Sequence, residues 1–167
     1  MKFVKIDKTD TGYLLDPTRY VDQLPVLVAK LPAGAAAFVR DPDHYNFHAE
    51  RCVKDLRIER MTVVEGGYGK LRLEIRLAPN KFKHNEGLVI VYDDVIDFFV
   101  DVETNQTGRV WPETARLGDV QLDEILPHRH GCTHELKTIG GSIRVTCSDL
   151  IAVWGKPSSN GSVVEVE

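Results

Sequence analysis

The 167-residue sequence predicts a mainly β (α+β) domain. The expected architecture is an antiparallel meander or hairpin sheet, either curved or closed as an open barrel, with one short helical segment near the start. Three observations carry this expectation. Leu71, Leu73, Ile75 and Leu77 alternate with Lys70, Arg72, Glu74 and Arg76, the period-two pattern of a half-buried strand. Residues 136–139 and 142–145 flank Gly140-Gly141, a two-residue hairpin signal. Helical spacing occurs once, at Tyr20, Leu24, Leu27, Val28 and Leu31.

Taken in order, residues 2–6 alternate and open the chain as a short strand. Asp16 as N-cap and Pro17 in the first turn start a helix, which is expected to run to Leu24 and kink at Pro25. Residues 35–40 are small and give a strand candidate, closed by the turn Asp41-Pro42-Asp43. Residues 55–65 and 70–77 form a hairpin, and the apolar run 88–92 is a central strand. Residues 95–102 follow as a strand rich in β-branched and aromatic side chains. A loop at 105–108, a strand at 120–126, the glycine hairpin and an apolar patch from Leu150 to Trp154 complete the series. Residues 1–157 are read as one domain and 158–167 as a flexible tail.

A composition of 43% hydrophobic and 28% charged residues is that of an ordinary globular domain. The net charge of −4, with Lys and Arg dispersed, argues against a nucleic-acid partner, which needs a clustered basic face. No apolar run approaches the roughly 20 residues of a membrane span. Three cysteines cannot all pair within the chain, and residues 1–8 lack an apolar signal core, so a reducing cytoplasm is expected.

Chemistry concentrates between His128 and Glu135, where three of the six histidines and Cys132 fall. Counting back from Gly140-Gly141 pairs His134 with Cys147. His130, Cys132, His134 and Cys147 therefore form a candidate zinc set, because His and Cys suit that ion. The blander reading makes the thiols small core residues and His134 a hydrogen-bonded core histidine. Cys147 beside His134 also has the make-up of a thiol and its base, without an identifiable oxyanion donor. Acids gather at Asp94, Asp97 and Asp101 around Phe99, a mixture typical of contact patches, and this is the preferred partner-binding surface. His44, Tyr45 and Asp55 form a candidate loop site.

The stretch from His44 to Trp154 resembles a loose group of small bacterial β-rich domains, some of them similar to immunity proteins of polymorphic toxin systems. The likeness rests on His44-Tyr45-Asn46-Phe47, Cys52 with Asp55-Leu56, Tyr92 with Val95, Gly118-Asp119 through Asp123-Glu124, His134-Glu135, Gly140-Gly141 and the segment 149–154. It covers about two-thirds of the chain. Lys54 departs from it, standing where a histidine is expected. The resemblance implies a β-rich bacterial domain with a protein-binding role, and it brings no established catalytic residue to carry over; the acidic face suits a basic partner such as a toxin. The expectation is thus a non-enzymatic, immunity-like binding domain with an acidic face and no cofactor. The alternatives are a small zinc domain, or a ligand-binding protein or enzyme with a cleft near His44 and His134.

Overall fold

The computed structural model describes residues 1–103 and 117–156; the loop expected at 105–108 and the tail at 158–167 lie outside the described residues. The strands are β1 (Lys5–Thr9), β2 (Gly12–Asp16), β3 (Arg57–Glu65), β4 (Leu71–Ala78), β5 (Gly87–Asp93), β6 (Asp97–Val102), β7 (Val120–His128), β8 (Gly131–Thr138), β9 (Gly141–Cys147) and β10 (Asp149–Gly155). Two helices, α1 (Thr18–Val28) and α2 (Ala33–Val39), lie between β2 and β3. The mainly β, antiparallel fold is as expected. Among the described residues no sheet closes into a barrel: β1 and β2 form a ribbon, and the rest divide into two four-stranded sheets ordered β10-β5-β4-β3 and β6-β9-β8-β7.

The two four-stranded sheets share one core. Alternation sends Leu73, Ile75, Leu77, Ile90 and Tyr92 from the first sheet, and Ile125, Leu136, Ile143 and Val145 from the second, into a common apolar cluster. The sheets are joined at two corners. At one, Ser148 N–H donates to Asp93 C=O at 3.0 Å, where β5 leads to β6 and β9 to β10. At the other, Asp55 N–H donates to Val120 C=O at 2.8 Å and Val120 N–H to Leu56 C=O at 2.7 Å. A smaller cluster around Val4, Tyr20 and Leu122 covers the back of β7.

The structure corrects three expectations. Residues 35–40 are not a strand: 35–39 belong to α2 and Arg40 is its C-cap. Alanine is the best helix former, and the Asp149 carboxylate accepts from Gly34 N–H at 3.0 Å and Ala35 N–H at 2.9 Å, satisfying the first turn. This helix lies against the outer edge of β10, so closely that a Cβ on Gly34 would sit 2.0 Å from Leu150 C=O. Second, α1 passes through Pro25 to Val28 instead of stopping at Leu24. Third, the β8–β9 turn is Ile139-Gly140, with Thr138 opposite Gly141. Gly141 belongs to the strand because the β6 backbone presses against it: a Cβ there would lie 2.1 Å from Asp101 C=O. His134 consequently faces Val145, and Cys132 takes the place opposite Cys147.

Candidate functional site

The centre of the core is polar. Asp123, on β7, is fully buried, and its carboxylate receives His44 Nε2 at 2.8 Å and His134 Nε2 at 3.0 Å. Beyond each imidazole lies one more partner: Phe38 C=O is 3.2 Å from His44 Nδ1, and the Tyr92 hydroxyl is 2.8 Å from His134 Nδ1. The roles follow from the chemistry of the partners. His44 faces an acceptor on both sides, the Asp123 carboxylate at Nε2 and the Phe38 carbonyl at Nδ1. His134 donates through Nε2 and accepts the Tyr92 proton on Nδ1. Burial alone pushes the Asp123 carboxyl up, but the His44 charge and the hydrogen bonds from both rings outweigh it and hold it well below the usual carboxylate range.

Neither imidazole reaches solvent, each being 1% exposed. The cleft expected beside His44 and His134 is therefore displaced outward. Tyr45 packs against His44 with ring centroids 4.3 Å apart and planes tilted by 35°, and it lines a groove of about 350 Å³ between α1 and residues 39–45, walled by Leu24, Val28 and Val39. Asp55 does not join His44 and Tyr45. It sits at the β3–β7 corner with φ 74°, its carboxylate 2.5 Å from Lys54 Nζ and 3.5 Å from Lys83 Nζ.

The four candidate zinc ligands do not assemble. Cys132 and Cys147 are buried with Sγ atoms 3.7 Å apart, while His134 engages Asp123 and Tyr92 with its two nitrogens. His130 lies before β8, beyond the bend at Gly131 (φ 148°), with Nε2 2.9 Å from Asp94 C=O. Among the described residues no three His, Cys, Asp or Glu side chains gather as a metal would require. The Cys132 contact and burial push the Cys147 thiol up, opposite to what a nucleophile needs.

On β6, Asp97, Phe99 and Asp101 share the outer face, and Phe99 is 51% exposed. Asp94 is set apart in the turn before β6, at φ 51° beside His130. The face also carries a cation: Arg144, opposite Phe99 on β9, lies 5.7 Å from its ring centroid and 3.8 Å from the Asp97 carboxylate. No protein-family model, curated protein or solved structure matches the chain. Its chemistry rests on its own geometry.

Sequence reasoning missed Asp123, Tyr92 and Tyr20 as members of polar networks. Tyr20 donates its hydroxyl to Ile125 C=O at 2.6 Å and accepts from Ile125 N–H at 2.9 Å, closing the edge of β7. One signal was present. Asp123-Glu124 falls between the apolar residues Leu122 and Ile125-Leu126 of a strand, and buried acids demand partners. Glu124 finds its own in the backbone N–H groups of Lys2, Phe3 and Val4, at 2.5, 2.6 and 2.9 Å.

Proposed function

We propose that this chain is a non-enzymatic protein-binding domain, immunity-like in its logic, that meets a basic protein through the outer face of β6. The observation that carries the reading is the half-exposed Phe99 between Asp97 and Asp101. An aromatic ring flanked by acids on a rigid strand has the composition of an interface anchor. Arg144 lies over the ring and pairs with Asp97, which leaves Asp101 as the more available charge. The groups best suited to catalysis, His44, His134, Cys132 and Cys147, are held inside the core by other parts of the same chain. No described helix is long and apolar enough to cross a membrane.

The test is calorimetric titration against any basic, nuclease-like protein that a neighbouring gene encodes. Wild-type chain binds, and the variant Asp97→Lys/Phe99→Ala/Asp101→Lys binds about 100-fold more weakly, with affinity falling as salt rises. Equal binding by the variant, or no binding by wild type, overturns the reading.

A further inference from the structure

Another polar cluster lies at the β3–β7 corner, and unlike the core network it is incomplete. Asp55, Asp119, Gln121 and Lys54 line a cleft of about 190 Å³, walled on its apolar side by Tyr13 and Ile139. Gln121 is the extra residue of a β-bulge: Val120 pairs with Thr138 and Leu122 with Lys137, leaving Gln121 unpaired in the ladder. Bulges re-aim a side chain, and this one turns a glutamine toward the cleft at only 5% exposure. Among the described residues its Oε1 is the one buried side-chain polar atom without a hydrogen-bond partner. A buried carbonyl left unsatisfied costs stability and calls for an explanation in function.

The neighbouring charges narrow what could satisfy it. Asp55 is already neutralised by Lys54 and Lys83. Asp119 is not. Its carboxylate forms no hydrogen bond or ion pair among the described residues, and burial, reinforced by Asp55, pushes it up against the weaker opposing pull of Arg57 and Lys54. The open positions are therefore acceptors, the Asp119 carboxylate and the Gln121 carbonyl. Tyr13 and Ile139, 40% and 39% exposed, offer an apolar wall beside them. A guanidinium fits this arrangement. Its planar fork donates to two acceptors at once, its weak hydration eases burial, and its stem and face lie against apolar and aromatic surface.

We infer that the Asp119–Gln121 cleft is an arginine-binding pocket that takes one side chain of the partner protein. The inference rests on the protein-binding reading for the identity of the partner but not for the chemistry of the pocket. Gln121 is retained at a cost in stability because the bound arginine completes its hydrogen bonding. Lys54 and Lys83 hold Asp55 away from the incoming group, so that Asp119 is the carboxylate it meets.

The experiment titrates the full chain with the capped peptide Gly-Arg-Gly, using amide shifts of Val120 and Ile139 in NMR spectra, with the citrulline peptide as the uncharged isostere. The arginine peptide binds in the millimolar range, and citrulline at least about ten-fold more weakly. Asp119→Asn weakens arginine binding by about ten-fold. Gln121→Leu also loses binding while its Tm rises by about 3 °C, because an unsatisfied buried carbonyl has been removed. A destabilised Gln121→Leu, equal shifts with both peptides, or no shift overturns the pocket. If the pocket fails but the β6 variant still loses its partner, the protein-binding reading survives alone. If the peptide binds as expected while neither set of variants affects any partner, the pocket stands and that reading falls.

Discussion

The two polar clusters of this domain have similar ingredients and opposite degrees of completion. In the core, each nitrogen of His44 and His134, both Asp123 oxygens and the Tyr92 hydroxyl has a partner. At the β3–β7 corner, the Gln121 carbonyl has no hydrogen-bond partner among the described residues, and the Asp119 carboxylate forms neither a hydrogen bond nor an ion pair there, feeling Arg57 and Lys54 only from a distance. The core network has the residue types of a catalytic relay, yet its completeness is what makes it structural. A closed set of hydrogen bonds leaves no valence for a substrate. The corner cluster has the shape of an ordinary surface cleft, yet its missing partners are what a ligand could supply. Satisfaction, not residue type, separates the two.

The largest test of this contrast removes the hub of the closed network. Asp123→Ala leaves His44 and His134 facing an empty acceptor position in the core. Breaking a buried pair in this way costs about 3–5 kcal/mol, measured as the loss of unfolding free energy in urea. A loss below about 1 kcal/mol means the network does not hold the sheets to the loop that carries His44. A smaller effect follows at its far end. Tyr92→Phe keeps the ring and removes only the proton donated to His134 Nδ1, 2.8 Å away. The expected cost is about 1–2 kcal/mol, since one buried acceptor is left unpaired. If Tyr92→Phe were instead stabilising, Tyr92 would belong with Gln121 as a side chain kept for a ligand.

How far these clusters were legible in the sequence depends on the range of the contacts involved. The β4 alternation from Leu71 to Leu77 needs only its own residues, and it appeared as expected. The α2 segment failed because Ala35 to Ala37 carries no period, and what commits it to helix is Asp149, more than a hundred residues away. The hairpin signal at Gly140-Gly141 was sound as to place and wrong as to register. Gly141 is required by the approach of the β6 backbone, which no local pattern encodes. Phe99 among acids was visible, but Arg144 beside it was not, because their juxtaposition depends on the order β6-β9. Asp123 lies among the apolar residues Val120, Leu122 and Ile125, a signal that the sequence reading passed over. Its partners arrive from the 41–47 loop and from β8, so the residue could be flagged while the network could not. The Gln121 bulge is invisible until both strands are aligned.

The smallest expected effect separates the core network from a third buried imidazole by their pH windows. His84 is 5% exposed, accepting from Asn80 N–H at 3.2 Å and donating to Cys52 C=O at 2.9 Å. One nitrogen is thus an acceptor, and burial lowers the pKa of the ring. The folded state keeps His84 neutral where the unfolded chain takes up a proton, near pH 6.5. Stability linked to His84 is therefore present above that pH and is lost as pH falls through 6.5 toward the lower folded value. Asp123 works in a more acidic window. Its folded pKa is also lowered, so its contribution persists down to the unfolded value near 3.9 and is lost only below it. His84→Gln, whose amide can still accept and donate, should flatten the decline in unfolding free energy between pH 7 and pH 5 while leaving the loss below pH 4 in place. Coincident slopes for wild type and variant between pH 7 and pH 5 would show that His84 is not held neutral. A variant that also removed the acid limb would tie the 79–86 loop to the core network, and the two would then be one cooperative unit rather than separate anchors.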